Sequence, residues 1–454
     1  MIVIFSVLSA TGKTRTPSLL RFESVAIVNE ASPAVVNGSA NGVPENFHVI
    51  RRPSDNATAV LGRIAPWQVG QKPFGLPSNA AQHWRWIAPP GTPHGQAWSS
   101  LNMVPEAAGT TYTIPLADGS VRYPTSYHGA CAQTRDWRGD ARWHVPNLRA
   151  PMTADGWASI GAIEFSLSPN GTLLQTVDEL AAWSWTGVEA AGGMDVEASR
   201  KFFAPRVYTA LPLPESAGGG YLAVVAAFLQ GNETKGFSGH LSLLAFRSED
   251  ALRWTYTATI VRGDNHAQKL GPTEPDLAVL ADGTSIMCVI RLDGDGACGS
   301  DSYRYYHQTY SRDGGRTWTT PSPINGTGCA RPRLLKLSHG GPLLLSGGRL
   351  CVEDTKDISL WVNRDGMAGV HGGPSRQQWQ RYSLSYWHNA LWKGDPAYRF
   401  TAKVNDTTAA ESLSYTSILE TSPRSVLVMY NKYLSRGFSQ CVNFAMRITI
   451  MDDV

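Results

Sequence analysis

Short apolar runs separated by turns recur along this chain. Runs such as Tyr221–Ala226, Ser285–Ile290 and Ser425–Tyr430 have the length of a strand and are almost entirely apolar. Successive turns lie 48 to 83 residues apart, which is close to the ~40–50 residues of a four-stranded propeller blade once insertions are allowed. We count six such turns: Asp118-Gly119, Asn170-Gly171, Gly218–Gly220, Asp282-Gly283, Gly340-Gly341 and Pro423-Arg424.

The repeat predicts an all-β fold, a six-bladed β-propeller of four-stranded antiparallel blades. A β-sandwich is the alternative, but its turns recur at about 8–12 residues and not at blade length. Residues 1–105 fit the repeat poorly, because they carry several Pro and Gly residues and few alternating runs. We expect a loop-rich N-terminal region over 1–105, which can supply a ring-closing strand, and a propeller over 106–454.

Composition narrows the classes of partner. The 454 residues are 42% hydrophobic, enough for a core, while only 17% are charged and the net charge is +3. This balance argues against binding to nucleic acid or to a membrane surface, and no segment approaches the ~18 apolar residues of a membrane span. Six cysteines and six N-glycosylation sequons favour a secreted protein or one in the secretory lumen; the sequons are Asn37, Asn56, Asn170, Asn232, Asn325 and Asn405.

The segment Ser311–Trp318, Ser-Arg-Asp-Gly-Gly-Arg-Thr-Trp, places a Trp at a fixed distance behind an Asp-Gly-Gly turn. Ser311 and Asp313 can bond backbone N–H groups, the glycines supply positive φ, and Trp318 can fold back as an apolar plug. The segment resembles the Asp-box of sialidases and related propellers; an ordinary hairpin turn is the alternative. Degenerate copies occur at Ser248–Trp254, Asn363–Gly366 and Thr134–Trp143.

The resemblance to sialidases extends over residues 270 to 435. Gly271–Asp276 followed by Arg291 resembles the fourth blade of a sialidase, Leu343–Arg349 the fifth, and Ser412–Glu420 the sixth, in which sialidases place a Tyr on the first strand. It implies an exo-acting retaining glycoside hydrolase that releases a terminal acidic sugar. Tyr415 would be the nucleophile, Glu274 its partner, and the substrate a sialoglycoconjugate or another acidic glycan.

The chemistry of such a substrate explains these residue types. A sialic acid carries a carboxylate on its anomeric carbon, which Arg side chains pair bidentately. The same carboxylate repels an Asp or Glu nucleophile, so these enzymes attack with a Tyr. A Tyr with a pKa near 10 is a weak nucleophile alone, but a neighbouring carboxylate can accept its proton. We expect no metal or other cofactor.

Four arginines are candidates for binding the substrate: Arg291, Arg349, Arg122 and Arg331, with Arg333 a competitor in the same segment. Arg291 ends an apolar strand, where an unpaired charge would be costly, and Arg349 follows Gly-Gly in what reads as a turn. Asp136 is the nearest candidate for the acid/base residue, although it also fits a degenerate Asp-box, and His128 is the alternative.

The candidate residues also have purely structural interpretations. Tyr415 fits a core aromatic, and Glu274, next to Pro275, fits a solvated loop acid. The strand before Asp118 lacks the arginine that sialidases usually carry on the first blade. The alternative function is therefore a non-catalytic Asp-box propeller that binds glycans or proteins.

Overall fold

The chain folds into β-sheets joined by turns, with few helices, so the all-β prediction is confirmed. The computed structural model describes residues 18–30, 206–228, 241–251, 253–261, 271–293, 305–352, 355–370, 379–401, 412, 415–433 and 441–451, together with strand backbones between 42 and 166. The predicted turns at Asp118-Gly119 and Asn170-Gly171 lie outside the described residues, as do all sequons except Asn325, which is exposed in a turn.

Four sheets of the described residues contain four antiparallel strands each. Three are built from consecutive strands: β2 to β5 (Gly42–Arg51, Thr58–Pro66, Gln82–Ala88, Ser99–Val104), β15 to β18 (Gly271–Val279, Ile286–Asp293, His307–Ser311, Ser322–Pro323) and β19 to β22 (Arg333–Lys336, Leu343–Val352, Thr355–Asn363, Trp379–Ser383). The fourth joins the two ends of the chain, in the order β1 (Leu20–Glu30), β25 (Cys441–Ile450), β24 (Ser425–Tyr433) and β23 (Ser417–Ser422).

The remaining strands form one larger sheet of nine. These are β6 to β10 (Ile114–Pro115, Val121–Pro124, Ala132–Gln133, Arg142–Ala150, Ala158–Ser166) and β11 to β14 (Arg206–Pro212, Tyr221–Phe228, Leu241–Ser248, Arg253–Val261). In the middle of this sheet β10 and β14, each the last strand of its group, pair in parallel at Glu164–Ser166, which differs from the predicted separate antiparallel blades. Sheet edges carry unpaired N–H and C=O groups, so two edges that meet side by side bond to each other.

The first strands of successive sheets lie against one another. Strand β11 contacts β6 and β15, β15 contacts β19, β19 contacts β23, and β23 contacts β2. Helices are few among the described residues: α1 (Leu384–Leu391) and short 3-10 turns at Glu215–Ala217 and Pro396–Tyr398. Within the described ranges, no helix has both the length and the apolar character needed to cross a membrane. Residues 1–105 contribute β1 and the whole β2–β5 sheet, which is more regular structure than the loop-rich region expected there. A domain boundary near residue 105 stays a prediction.

Strand β16 shows why the apolar runs are continuous. Ile286, Cys288 and Ile290 pack with the sheet of β11 to β14, whereas Met287 and Val289 pack with the sheet of β19 to β22. All five are fully buried. A strand covered on both faces needs an apolar side chain at every position. A further core cluster packs β19 to β22 against the sheet that joins the chain ends.

The turn at Ser311–Trp318 has the hydrogen bonds that its sequence predicts. The Ser311 hydroxyl accepts from the N–H of Gly315 (2.8 Å), and the Asp313 carboxylate accepts from the N–H of Thr317 (2.8 Å). Gly315 has φ +90°, and Trp318 packs against the core between two sheets. The side chains of Ser311 and Asp313 therefore hold the turn from within.

The degenerate copy at Ser248–Trp254 folds in a similar way. The Ser248 hydroxyl donates to Asp250 (3.0 Å), Asp250 accepts from the N–H of Arg253 (2.8 Å), and Trp254 is 1% exposed. The missing residue therefore does not prevent the Ser–Asp contact or the burial of the Trp.

Arg247 on β13 joins two turns of neighbouring sheets. Its guanidinium donates to the carbonyls of Gly218 (2.7 Å) and Gly219 (2.6 Å) in the β11–β12 turn and of Gly314 (2.9 Å) in the turn after β17. Arg247 is 9% exposed. One buried side chain thus satisfies three carbonyl groups and fixes the two sheets side by side.

Candidate active site

Glu274 lies in a β-bulge near the start of β15. The pairing of β15 with β16 shifts between Thr273 and Asp276, so two residues of β15 stand opposite one of β16. Glu274 has φ +46°, in the left-handed region that favours glycine. A non-glycine residue there costs on the order of 1–3 kcal/mol and persists only when its surroundings hold it. The bulge is therefore a strained position that carries a charged side chain.

Three side chains that the sequence singles out come together at this bulge. The Tyr415 hydroxyl donates to Glu274 Oε1 at 2.7 Å, and Arg291 Nη1 donates to Glu274 Oε2 at 2.5 Å. Arg291 Nη1 also donates to the Tyr415 oxygen at 3.2 Å. Glu274 and Arg291 are buried, whereas Tyr415 is partly exposed. Residues distant in sequence thus form one closed triangle of hydrogen bonds.

The charge state of Glu274 follows from these contacts. Burial alone would raise the pKa of Glu274, but the charge of Arg291, the hydrogen bond from Tyr415 and the charge of Arg331 lower it to about 2. The carboxylate is therefore ionised at neutral pH. An ionised carboxylate has no proton to donate, so at this position it can only accept the proton of Tyr415.

Arg331 contributes positive charge from the next sheet. It stands two residues before β19, is 1% exposed, and its charge acts on Glu274. The site therefore draws on three sheets: Glu274 and Arg291 from the β15–β18 sheet, Arg331 from the segment leading into the β19–β22 sheet, and Tyr415 from the segment leading into β23.

Two expectations about local structure are wrong. Arg349 lies inside strand β20, at a register shift between Gly348 and Leu350, and not in a turn. A Cβ on Gly347 would stand 2.0 Å from the Tyr306 hydroxyl, so that glycine serves close packing. Tyr415 precedes β23 by two residues and does not lie on that strand.

The other candidates cannot be placed at the bulge. Arg122 lies on β7, where the backbone alone is described, and the side chain of Arg349 is likewise outside the description. Asp136 and the alternative acid His128 fall outside the described residues. Among the residues that are described, no group of three or more His, Cys, Asp or Glu side chains is arranged to hold a metal ion.

Sequence reasoning missed a second buried carboxylate beside the bulge. Asp276 is 7% exposed and accepts hydrogen bonds from the Thr209 hydroxyl and from the backbone N–H of Leu334, both at 2.8 Å. An acid two residues after Glu274, within a strand that becomes fully apolar, was the available signal.

Comparisons with known proteins identify the fold. No family model matches the chain, and no curated protein matches it. Among solved structures, a protein of unknown function from Dyadobacter fermentans is similar at 14% identity, over 95% of this chain and 99% of that one, with a TM-score of 0.54. A Hadza microbial sialidase is similar at 12% identity, over 90% of this chain and 66% of that one, with a TM-score of 0.51. The chain therefore has a sialidase-like, propeller-type fold.

Proposed function

We propose that this chain is an exo-acting retaining glycoside hydrolase that releases a terminal acidic sugar from a sialoglycoconjugate or another acidic glycan. The observation that carries the proposal is the 2.7 Å hydrogen bond from Tyr415 to the buried, ionised Glu274, with Arg291 donating to both. A Tyr needs a partner that accepts its proton before it becomes a good nucleophile.

In the proposed reaction, the Tyr415 oxygen bonds to the anomeric carbon while the bond from that carbon to the leaving group breaks. The phenolic proton passes to Glu274, and the leaving oxygen takes a proton from an acid, for which Asp136 is the candidate. Water then attacks the anomeric carbon as the bond from that carbon to the Tyr415 oxygen breaks. The deprotonated acid takes the proton of the water and so regains its own, while Tyr415 regains its proton from Glu274. Retention follows from two successive displacements at the same carbon.

The arginines supply the preference for an acidic sugar. Arg291 and Arg331 are buried and close to Glu274, and each guanidinium carries five N–H donors in a planar fork that matches a carboxylate. A substrate carboxylate between them would bind next to the Tyr415 oxygen. Arg122 and Arg349 remain candidates for further contacts with the substrate.

We also propose that the fold is a six-bladed ring closed by β1. Four four-stranded sheets, together with a larger sheet of two parts, provide six groups of strands. Their first strands follow one another by contact from β6 through β11, β15, β19 and β23 to β2. The turns at Ser311–Trp318 and Ser248–Trp254 would be Asp-boxes of two of these blades.

Kinetics with a fluorogenic sialoside test the function. Wild-type protein should release the fluorophore, and Tyr415→Phe and Glu274→Gln should each lower kcat by about 100-fold or more. Tyr386→Phe is the matched control, because Tyr386 is 57% exposed on α1, a helix that packs against β21 and β1. It should keep full activity.

The same assay separates the proposal from its rival. Full activity in folded Tyr415→Phe would reject the tyrosine mechanism. Binding of acidic glycans by the wild type without release of sugar would identify a non-catalytic propeller instead. A parallel panel of neutral glycosides measures the contribution of the substrate carboxylate, since the arginines should favour acidic sugars.

A further inference from the structure

The bulge that carries Glu274 is tied to its neighbours on both flanks. Before it, the Thr273 hydroxyl pairs with the Tyr208 hydroxyl of β11 at 2.8 Å. After it, Asp276 accepts from the Thr209 hydroxyl of β11 at 2.8 Å. All four residues are buried, with at most 7% exposure. Two consecutive residues of β11 thus bracket the bulge of β15.

Asp276 also reaches the strand on the other side. Its Oδ2 accepts from the backbone N–H of Leu334 at 2.8 Å, and its Oδ1 lies 3.9 Å from Arg333 Nη1. Both partners belong to β19, which begins two residues after Arg331. The same carboxylate therefore fixes the start of β19, and with it Arg331, relative to Glu274.

We propose that Asp276 is a positioning residue of the catalytic site: its carboxylate links β11, β15 and β19 and thereby holds the Glu274 bulge against Arg291, Arg331 and Tyr415. A left-handed φ at Glu274 is unfavourable in isolation, so the bulge needs contacts that oppose relaxation. The buried hydrogen bonds of Asp276 to β11 and β19 supply such contacts. Only the expected effect on catalysis rests on the proposed function; the role of Asp276 in holding the bulge does not.

Steady-state kinetics test the catalytic consequence. Asp276→Asn keeps the volume but replaces one of the two accepting oxygens with an NH2 group, which cannot accept from a donor. Thr209→Val removes one donor while keeping the shape. Each should lower kcat by about 10- to 100-fold through misplacement of Glu274 while KM changes by less than about twofold. Thr209→Ser restores the hydroxyl and should restore kcat.

A matched control comes from the same hairpin. Asp282 lies in the exposed β15–β16 turn, where it bonds Thr284 and Ser285 within the turn. Asp282→Asn therefore removes a hydrogen-bonded carboxylate from the same pair of strands without touching the bulge. It should leave kcat unchanged even if it lowers the melting temperature.

A second measurement does not depend on activity. Protein with ¹³C-labelled Glu carboxyls is titrated by NMR, and the Glu274 signal is assigned by its loss in Glu274→Gln. In the wild type, Arg291, Arg331 and Tyr415 face this carboxylate and hold its pKa at about 2, so the signal should stay constant from neutral pH to about pH 4. In Asp276→Asn and Thr209→Val, Glu274 moves away from these groups and should titrate inside that range.

The two measurements separate the outcomes. If the wild type cleaves no sialoside but Glu274 titrates only in the bulge variants, the proposed function fails and the positioning role stands. If folded Asp276→Asn and Thr209→Val both keep the wild-type titration and the wild-type kcat, the positioning role is overturned. Should Asp276→Asn not fold, Thr209→Val and Thr209→Ser decide the same question.

Discussion

Replacing Glu274 with Gln should change how the stability of the fold depends on pH. Burial raises the pKa of Glu274, while Arg291, Tyr415 and Arg331 lower it, from an ordinary 4.5 to about 2. One pKa unit corresponds to ~1.4 kcal/mol. The ionised carboxylate therefore contributes about 3 kcal/mol to the free energy of unfolding at neutral pH.

The direction of the effect follows from the lowered pKa in the folded state. The contribution is present above the unfolded value of 4.5 and is lost as the pH falls through about 2. Between about pH 5 and pH 3, roughly 2 kcal/mol should disappear. A Gln side chain does not titrate, so the difference in unfolding free energy between wild type and Glu274→Gln should narrow by that amount.

Urea denaturation of the two proteins at several pH values across this window measures the difference directly. Taking the difference cancels the titration of all other groups, which both proteins share. Glu215→Gln is the control, because Glu215 is exposed in the β11–β12 turn, and its unfolding free energy should follow that of the wild type. A constant difference between wild type and Glu274→Gln from about pH 5 to pH 3 would refute the argument.

Two further predictions concern the fold. Arg247→Met removes the three hydrogen bonds that Arg247 donates to two turns and should lower the free energy of unfolding by about 2–4 kcal/mol. The control is Arg253→Met, which should cost less than about 1 kcal/mol because the Arg253 side chain is 79% exposed. Equal losses of stability in the two variants would contradict the prediction. Burial, together with the charge of Lys432, lowers the pKa of His388 from 6.5 to about 4, so stability present above pH 6.5 is lost as the pH falls through 4. Thermal melts between pH 6.5 and pH 4 should therefore show a smaller loss of stability in His388→Gln than in the wild type. An equal loss of stability in both proteins would show that His388 is not the group responsible.

The apolar runs were predictable because the fold buries them without exceptions. Alternate residues of β16 pack with different neighbouring sheets, so an unbroken apolar run of strand length, bounded by turns, fits a strand covered on both faces. The Ser311–Trp318 turn was equally predictable, because its hydrogen bonds close within the turn itself. Local patterns sufficed where the contacts are local or where burial is complete.

The errors arose where a residue serves a distant contact. Gly347 precedes Arg349 and looks like part of a turn, but its missing side chain makes room for the hydroxyl of Tyr306, which precedes β17 of the neighbouring sheet. Helix α1 was not predicted either: it begins at an N-cap, Ser383, that accepts from the N–H of Tyr386, and it buries His388. A helical pattern of apolar residues over only eight positions cannot be distinguished from a loop by its periodicity.

The Glu274 site combines local and long-range contacts, and the sequence predicts only the local part of its geometry. Proline has no N–H for the ladder, so within a sheet it is confined to edges, strand starts and bulges. Pro275 lies between the two regular parts of β15, where the register shifts. Glu274-Pro275-Asp276 therefore encodes the bulge, while the acid after the proline supplies the carboxylate that bonds Thr209 and Leu334. No local pattern could supply the identity of those partners, which lie 67 and 58 residues away in sequence. The strained, buried carboxylate of Glu274 is therefore flanked by contacts that only the fold can bring together.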